Sequence, residues 1–299
     1  MHIPEKFRTL AENDFRILAV AEILMKSHEF VPLEHIIRYS RLRSDEVTFR
    51  VSILSKGRFL AGPSKSLLGY QGYALTSHGY DALALQALVS SGVVEALGKS
   101  LGVGKEADIY AALDSRGKEC AVKFHRLGRT SFRQTLRKRG YVAGHPHTSW
   151  LYQSRLAAER EYSALQSLYS AGVSVPKPIA HNRHVVVMSL IGGTELKFAE
   201  LEDAKPILKE ILRNIKKAYQ RARLIHSDLS EYNILIKPDG KLLIIDWPQS
   251  VDIDHPNAQD YLKRDISNIV TCFTRKAGLN PDLEGIVAYV KGKGRLPTL

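Results

Sequence analysis

Between residues 225 and 236 the chain reads Ile-His-Ser-Asp-Leu-Ser-Glu-Tyr-Asn-Ile-Leu-Ile, apolar residues bracketing His226, Asp228, Ser230 and Asn233. A second apolar burst, Leu242 to Ile245, ends on Asp246. Two carboxylates and an amide delivered from the ends of apolar strands match the needs of γ-phosphoryl transfer. One carboxylate positions and deprotonates the attacking oxygen, while hard oxygen ligands hold Mg²⁺ beside the phosphates. The spacing assigns Asp228 the first role and Asn233 and Asp246 the second. A five-residue step lets one loop present Asp228 and Asn233 into one cleft, and the hairpin that follows, turning at Pro238-Asp239-Gly240, returns Asp246 to the same end. His226 reads as a packing and hydrogen-bonding residue that holds the loop.

The same chemistry needs cations and a close backbone on the nucleotide. Lys123 lies in Cys-Ala-Val-Lys-Phe-His, where a buried strand would carry an apolar side chain, and a buried ammonium needs a partner. The helix expected over 151–171 offers Glu161, inward on a face that runs through Ala158, Tyr162, Leu165 and Tyr169, with Glu159 nearer solvent. A Lys123–Glu161 pair suits a lysine held over the α- and β-phosphates. In Leu-Gly-Val-Gly-Lys-Glu, Gly102 and Gly104 let a turn carrying Lys105 approach phosphates. The stretch is not a Walker loop, since Glu106 follows Lys105.

These residues must be positioned by a chain of 299 residues, long enough for two or three folded units. Ile17, Val20, Ala21 and Leu24 recur at helix spacing within 10–27, a short helix starts at Pro32, and a third opens at Ser44. A Gly- and Ser-rich hairpin follows, so residues 1–90, closed by a helix ending at Gly92, form a winged helix-turn-helix in which Arg41, Arg43 and Arg50 are candidate nucleic-acid contacts. Residues 91–299 read as a mixed sheet with one helix, to about 190, then a helical half carrying the polar hairpin, from about 191. One helix is expected over 203–224. The whole is an α+β chain.

The formal charge is +12, and between residues 116 and 160 eleven Lys and Arg face two Glu. Among them Arg129, Arg133, Arg137, Lys138 and Arg139 form a basic insert that attracts polyanions. Cys120 and Cys272 lack any paired spacing and read as ordinary buried thiols. No apolar run is long enough for a membrane span and no leader is evident, so a cytoplasmic protein without membrane partners is expected.

His-Ser-Asp-Leu-Ser-Glu-Tyr-Asn-Ile-Leu-Ile is similar to the catalytic loop of kinase-like enzymes, and Ile-Ile-Asp-Trp-Pro-Gln-Ser resembles the metal loop of the Rio family of atypical serine/threonine protein kinases. Gly-Lys-Glu-Ala-Asp-Ile-Tyr, Ala-Val-Lys-Phe-His-Arg and the winged helix resemble its Rio-two subfamily. The resemblance covers essentially the whole chain and implies a minimal two-lobed kinase fold lacking the activation segment and peptide-docking lobe. By it, Lys123 and Glu161 serve the nucleotide, Asp228 is catalytic, Asn233 and Asp246 hold Mg²⁺ or Mn²⁺, Ser230 lies close by, and Met188, Ser189, Leu190 and Ile191 form the hinge that holds the adenine of ATP. Ala107 stands where the family usually carries serine, and Trp247 where phenylalanine is commoner.

The resemblance further implies ATP-dependent work on the pre-ribosomal small subunit, with its rRNA and proteins. It also implies self-phosphorylation, with Thr130, Ser131 and Thr135 as acceptors, and an aspartyl phosphate on Asp246. Two other readings are a small-molecule phosphotransferase of the aminoglycoside or choline type, against which the basic insert and winged helix argue, and a nucleic-acid-binding regulator that senses ATP.

Overall fold

The computed structural model describes residues 7–63, 69–127 and 146–299, with side chains from Trp150 onward in the last stretch. The chain forms two compact units, Met1–Leu156 with His181–Val185, and Ala157–Ala180 with Val186–Leu299. Arg129, Thr130, Ser131, Arg133, Thr135, Arg137, Lys138 and Arg139 lie outside the described residues.

The first unit opens with α1 (Glu12–Leu24), β1 (Val31–Pro32), α2 (Leu33–Ser40), α3 (Ser44–Lys56), β2 (Leu60–Ala61), β3 (Gly72–Leu75) and α4 (Ser77–Ser90). The three strands pair in the order β1-β3-β2, so three helices and a small wing-like sheet form as expected. The Asp14 carboxylate accepts from the Ala11 amide at 2.8 Å and satisfies a donor that α1 would leave open. Thr76 caps α4 by accepting from Gly79 N–H at 3.3 Å. At Gly79 a Cβ would meet the Phe59 carbonyl oxygen at 2.4 Å, so only glycine lets α4 start there.

The α1 stripe differs from the expectation. Phe15, Ile17, Leu18, Ala21 and Met25 are buried, whereas Val20 and Leu24 are only half-buried. Because α2, α3, α4 and β3 all pack on α1, its apolar face is wider than one i, i+3, i+4 row and is displaced toward Leu18. Pro32 caps α2 rather than opening it, and pairs with Gly72 in the wing sheet. That edge position suits a residue without an N–H.

Three long strands follow: β4 (Ala96–Val103), β5 (Ala107–Leu113) and β6 (Glu119–His125), antiparallel, with Ile109 opposite Lys123. With β7 (Pro178–Asn182) and β8 (Val185–Ser189) they make a sheet of order β4-β5-β6-β8-β7.

The second unit holds most of α5 (Pro146–Ser170), then β9 (Thr194–Glu195), α6 (Ala204–Lys217), β10 (Leu224–Ile225), β11 (Ile234–Ile236), β12 (Leu242–Ile244), β13 (Val251–Asp252), α7 (Ala258–Ala277) and α8 (Leu283–Val290). The single helix expected over 203–224 is cut short. After Lys217 one wider π turn, Ala218–Ala222, loosens the coil, and Arg223 at φ +57° ends it so that Leu224 and Ile225 can pair with Asp252 and Val251. On α5 the buried stripe runs through Ala158, Glu161, Leu165 and Leu168, while Tyr169, expected on it, is exposed. One core unites Leu168, Leu196, Leu208, Ile211, Ile234, Ile244, Ile266, Ile269 and Phe273. Among the described residues no helix is long and apolar enough to cross a membrane.

Candidate active site

The second unit assembles the polar loop from three directions. Ser227 and Leu229, on either side of Asp228, both donate their amide N–H to the Asp265 carboxylate of α7, at 2.8 and 3.0 Å. Arg264 donates to the Ser227 carbonyl, and Asn268 Nδ2 to the Leu229 carbonyl at 3.0 Å. One face of α7 therefore grips the backbone around Asp228 and leaves its side chain exposed. Ser227, at φ +65°, takes a left-handed conformation that the clamp and its Oγ–Gln249 carbonyl hydrogen bond of 2.5 Å sustain.

Asn233 ties the two ends of the motif together. Its Nδ2 donates to the Asp228 carbonyl at 2.9 Å, and its own carbonyl accepts from Ile245 N–H at 2.9 Å. His226 Nε2 donates to the Ile245 carbonyl at 2.9 Å, so the residue preceding Asp246 is held at both its amide and its carbonyl. Asp246 follows at φ +67°, another left-handed non-glycine position, with its side chain exposed. His226 also packs at 4.5 Å between centroids on the buried Trp247, whose Nε1 donates to the Ile244 carbonyl. Ser230 Oγ accepts weakly from Tyr232 N–H at 3.4 Å within the same loop.

Burial pushes Asp265 above the usual carboxylate range, against the amides of Leu229 and Ser227 that favour its charged form. Sequence reasoning missed this residue. The signal lay in Tyr-Leu-Lys-Arg-Asp-Ile-Ser-Asn-Ile, where Asp265 occupies the same helical stripe as Leu262, Ile266 and Ile269, a place where an unassisted carboxylate would be costly.

The donor set fits magnesium. Because Asn233 spends its Nδ2 on the loop, its Oδ1 is left as a hard oxygen, and the Asp246 carboxylate supplies the second. Among the described residues no three His, Cys, Asp or Glu converge as a closed metal cage.

The remaining expected residues fall as follows. In the first unit, Lys123 of β6 is 5% exposed, and Gly102, Gly104 and Lys105 lie exposed where β4 turns into β5, a turn closed by Gly104 N–H to the Ala107 carbonyl at 2.8 Å. In the second unit, Glu161 is 1% exposed and Glu159 is exposed, as expected. Met188 and Ser189 end β8, and Leu190 and Ile191 run on from it. The Ser189 amide donates to the Lys177 carbonyl and its Oγ accepts from Lys177 N–H.

Arg50 is half-buried between Glu46 Oε1 at 2.8 Å and Asp14 Oδ1 at 3.1 Å, and Arg43 pairs with Asp45 at 2.7 Å. The hydrogen bonds from Arg50 and Asn13 hold Glu46 below the usual carboxylate range. Arg41 ends α2 in the left-handed region. The exposed positions of α3 include Phe49 and Ile53 beside these ion pairs.

Comparison with known proteins gives the context of this geometry. A model of the RIO domain matches residues 108–286, and a model of the Rio2 N-terminal region matches residues 7–91. The chain is 43% identical over 276 residues to the RIO-type serine/threonine-protein kinase Rio2 of Methanocaldococcus jannaschii, covering 89% of this chain and 99% of that one. It is 38% identical to the serine/threonine-protein kinase rio2 of Schizosaccharomyces pombe, over 90% of this chain and 77% of the relative. Its structure is similar to that of the Rio2 kinase from Chaetomium thermophilum in its ADP/Mg²⁺-phosphoaspartate complex, with a TM-score of 0.83 at 34% identity over 97% of this chain and 88% of the other. With both models matched and relatives this similar along most of their length, the chain belongs to the RIO family, in its Rio2 branch.

Proposed function

We propose that the protein is an ATP- and Mg²⁺-dependent atypical serine/threonine kinase and ATPase of the Rio2 type that acts on the small ribosomal subunit during its maturation. The observation that carries the reading is the double constraint on the loop. The backbone around Asp228 is clamped by Asp265 while its carboxylate faces outward, and Ile245 is pinned at both ends so that Asp246 emerges in a set orientation. Preorganised carboxylates of this kind favour the transition state, because the ordering cost is met during folding.

In this reading Met188 to Ile191 hold adenine, Lys123 paired with Glu161 faces the α- and β-phosphates, and Gly102, Gly104 and Lys105 cover them. Asn233 and Asp246 hold the magnesium ion, or manganese in its place, which offsets the charge of the phosphates. Asp228 accepts the proton of an attacking hydroxyl as that oxygen bonds to the γ-phosphorus and the bond to the β–γ bridging oxygen breaks, with ADP leaving. Asp246 itself is the alternative acceptor. Its carboxylate oxygen bonds the γ-phosphorus as ADP leaves, and water then cleaves the acyl phosphate and returns Asp246 and inorganic phosphate. The similar Chaetomium thermophilum structure, described as a phosphoaspartate complex, supports this route.

The test is the stability of phosphate on the protein after incubation with labelled ATP. Phosphate that hydroxylamine releases, and that Asp246→Asn abolishes, is expected. Label that is wholly acid-stable and resists hydroxylamine would remove the aspartyl-phosphate step.

A further inference from the structure

Arg126 is one of the cations that the sequence assigns to the basic segment, yet the structure buries it at 5% exposure. Its Nε donates to Asp108 Oδ2 at 2.9 Å, and its two terminal nitrogens fork onto Asp81, at 2.5 Å to Oδ1 and 2.9 Å to Oδ2. His184 Nε2 lies 2.7 Å from Asp81 Oδ1, the Tyr80 ring stacks on His184 at 4.7 Å, and the guanidinium carbon sits 5.2 Å from the Phe124 centroid. Asp81, Asp108 and His184 are as buried as Arg126. A buried ionic cluster adds little net stability over apolar packing of the same volume, and its distinguishing property is a single allowed geometry.

That geometry is built against the glycine turn. The Arg126 amide donates to the Glu106 carbonyl at 2.6 Å, Ala107 pairs across the sheet with His125, and Gly104 N–H closes on the Ala107 carbonyl. Asp108, the next residue of β5, is the carboxylate that takes Arg126 Nε. The main chain of Arg126 therefore supports the turn while its side chain is fixed from α4, 45 residues earlier.

We propose that Asp81 is a positioning residue for the Gly104–Ala107 turn, acting through Arg126, so that the helix closing the winged-helix segment sets the order of the turn facing the nucleotide phosphates. The inference rests on the ATP reading above only in naming what the turn covers.

The test uses the full chain. Asp81→Asn keeps the shape and removes the charge, and Arg126→Lys keeps the charge and removes the fork. Leu54→Ala, in the winged-helix core, is the control for lost stability alone. Amide exchange at Gly104 in the free protein should accelerate about tenfold in Asp81→Asn beyond the control. ATP affinity should weaken by about tenfold while turnover at saturating ATP stays within about twofold. Arg126→Lys should fall between, and it carries the test if Asp81→Asn does not fold. Gly104 exchange and ATP affinity indistinguishable from those of Leu54→Ala would overturn the proposal. A wild-type protein that binds no ATP would sink the nucleotide reading, whereas the exchange at Gly104 would still decide whether Asp81 orders the turn.

Discussion

Asp228 and Asp246 would carry the chemistry, but the residue that sets the geometry of Asp228 is Asp265. It accepts two amide hydrogen bonds astride Asp228, and burial raises its pKa. Asp265→Asn retains one acceptor oxygen and turns the other into a donor facing an amide donor, so one clamp becomes a repulsion. Turnover should fall by about 10²-fold with ATP affinity within about threefold, since the loop orients Asp228 without touching the nucleotide. Steady-state kinetics alongside nucleotide titration check this, and an equal loss in both would contradict it. Asp228, Asn233 and Asp246 stood out as candidates because polar residues ending apolar strands need a reason to be there. Asp265 was hidden because a single carboxylate on a helical stripe resembles a pattern error, and the left-handed φ of Ser227 and Asp246 arises from tertiary hydrogen bonds that no local residue type announces.

At the scale of elements, α4, β5, β6 and the turn before β8 are joined by the Asp81–Arg126 cluster. Burial pushes the Asp81 carboxyl up, but the Arg126 charge and the hydrogen bonds from His184 and Arg126 outweigh it and hold the pKa at about 2, against an ordinary 3.8. A depressed acid stabilises the fold fully above its unfolded pKa and loses that contribution as pH falls through the folded value. Chemical denaturation should therefore show roughly 2 kcal/mol lost between about pH 4 and pH 2 from this group. In Asp81→Asn that part of the slope should vanish, and an unchanged pH profile would contradict the assignment.

Core elements behave more simply. Phe273 of α7 is fully buried, and Phe273→Ala should cost about 3–5 kcal/mol in the second unit, read from the unfolding midpoint. The helices of the first 224 residues were legible from periodicity and end signals, whereas α7 and α8 were not singled out. The displaced face of α1 was not legible, since its four packing partners are a tertiary fact, and on α5 Glu161 is buried as the sequence suggests while Tyr169 turns outward. The π turn after α6 was equally hidden, because its residues would serve an ordinary helix as well.

For the whole molecule, the charge of +12 is a statement about partners, and the structure refines where it acts. Arg126 is buried and Arg50 is held by two carboxylates, so neither is a surface cation of the simple kind that the sequence suggests. The proposed affinity for ribosomal RNA then rests chiefly on Arg129, Arg133, Arg137, Lys138 and Arg139. Replacing Arg133, Arg137, Lys138 and Arg139 with alanine should weaken binding to small-subunit RNA and reduce the slope of log affinity against log salt by about 3. An unchanged slope would move the contact elsewhere.

That Asp228 and Asp246 carry phosphoryl transfer is decided by ATP turnover of the purified chain with Mg²⁺, comparing the wild type with Asp228→Asn and Asp246→Asn. Measurable turnover is expected in the wild type, with a loss of at least about 10²-fold in each variant at unchanged thermal stability. Turnover that persists in both folded variants would contradict that role.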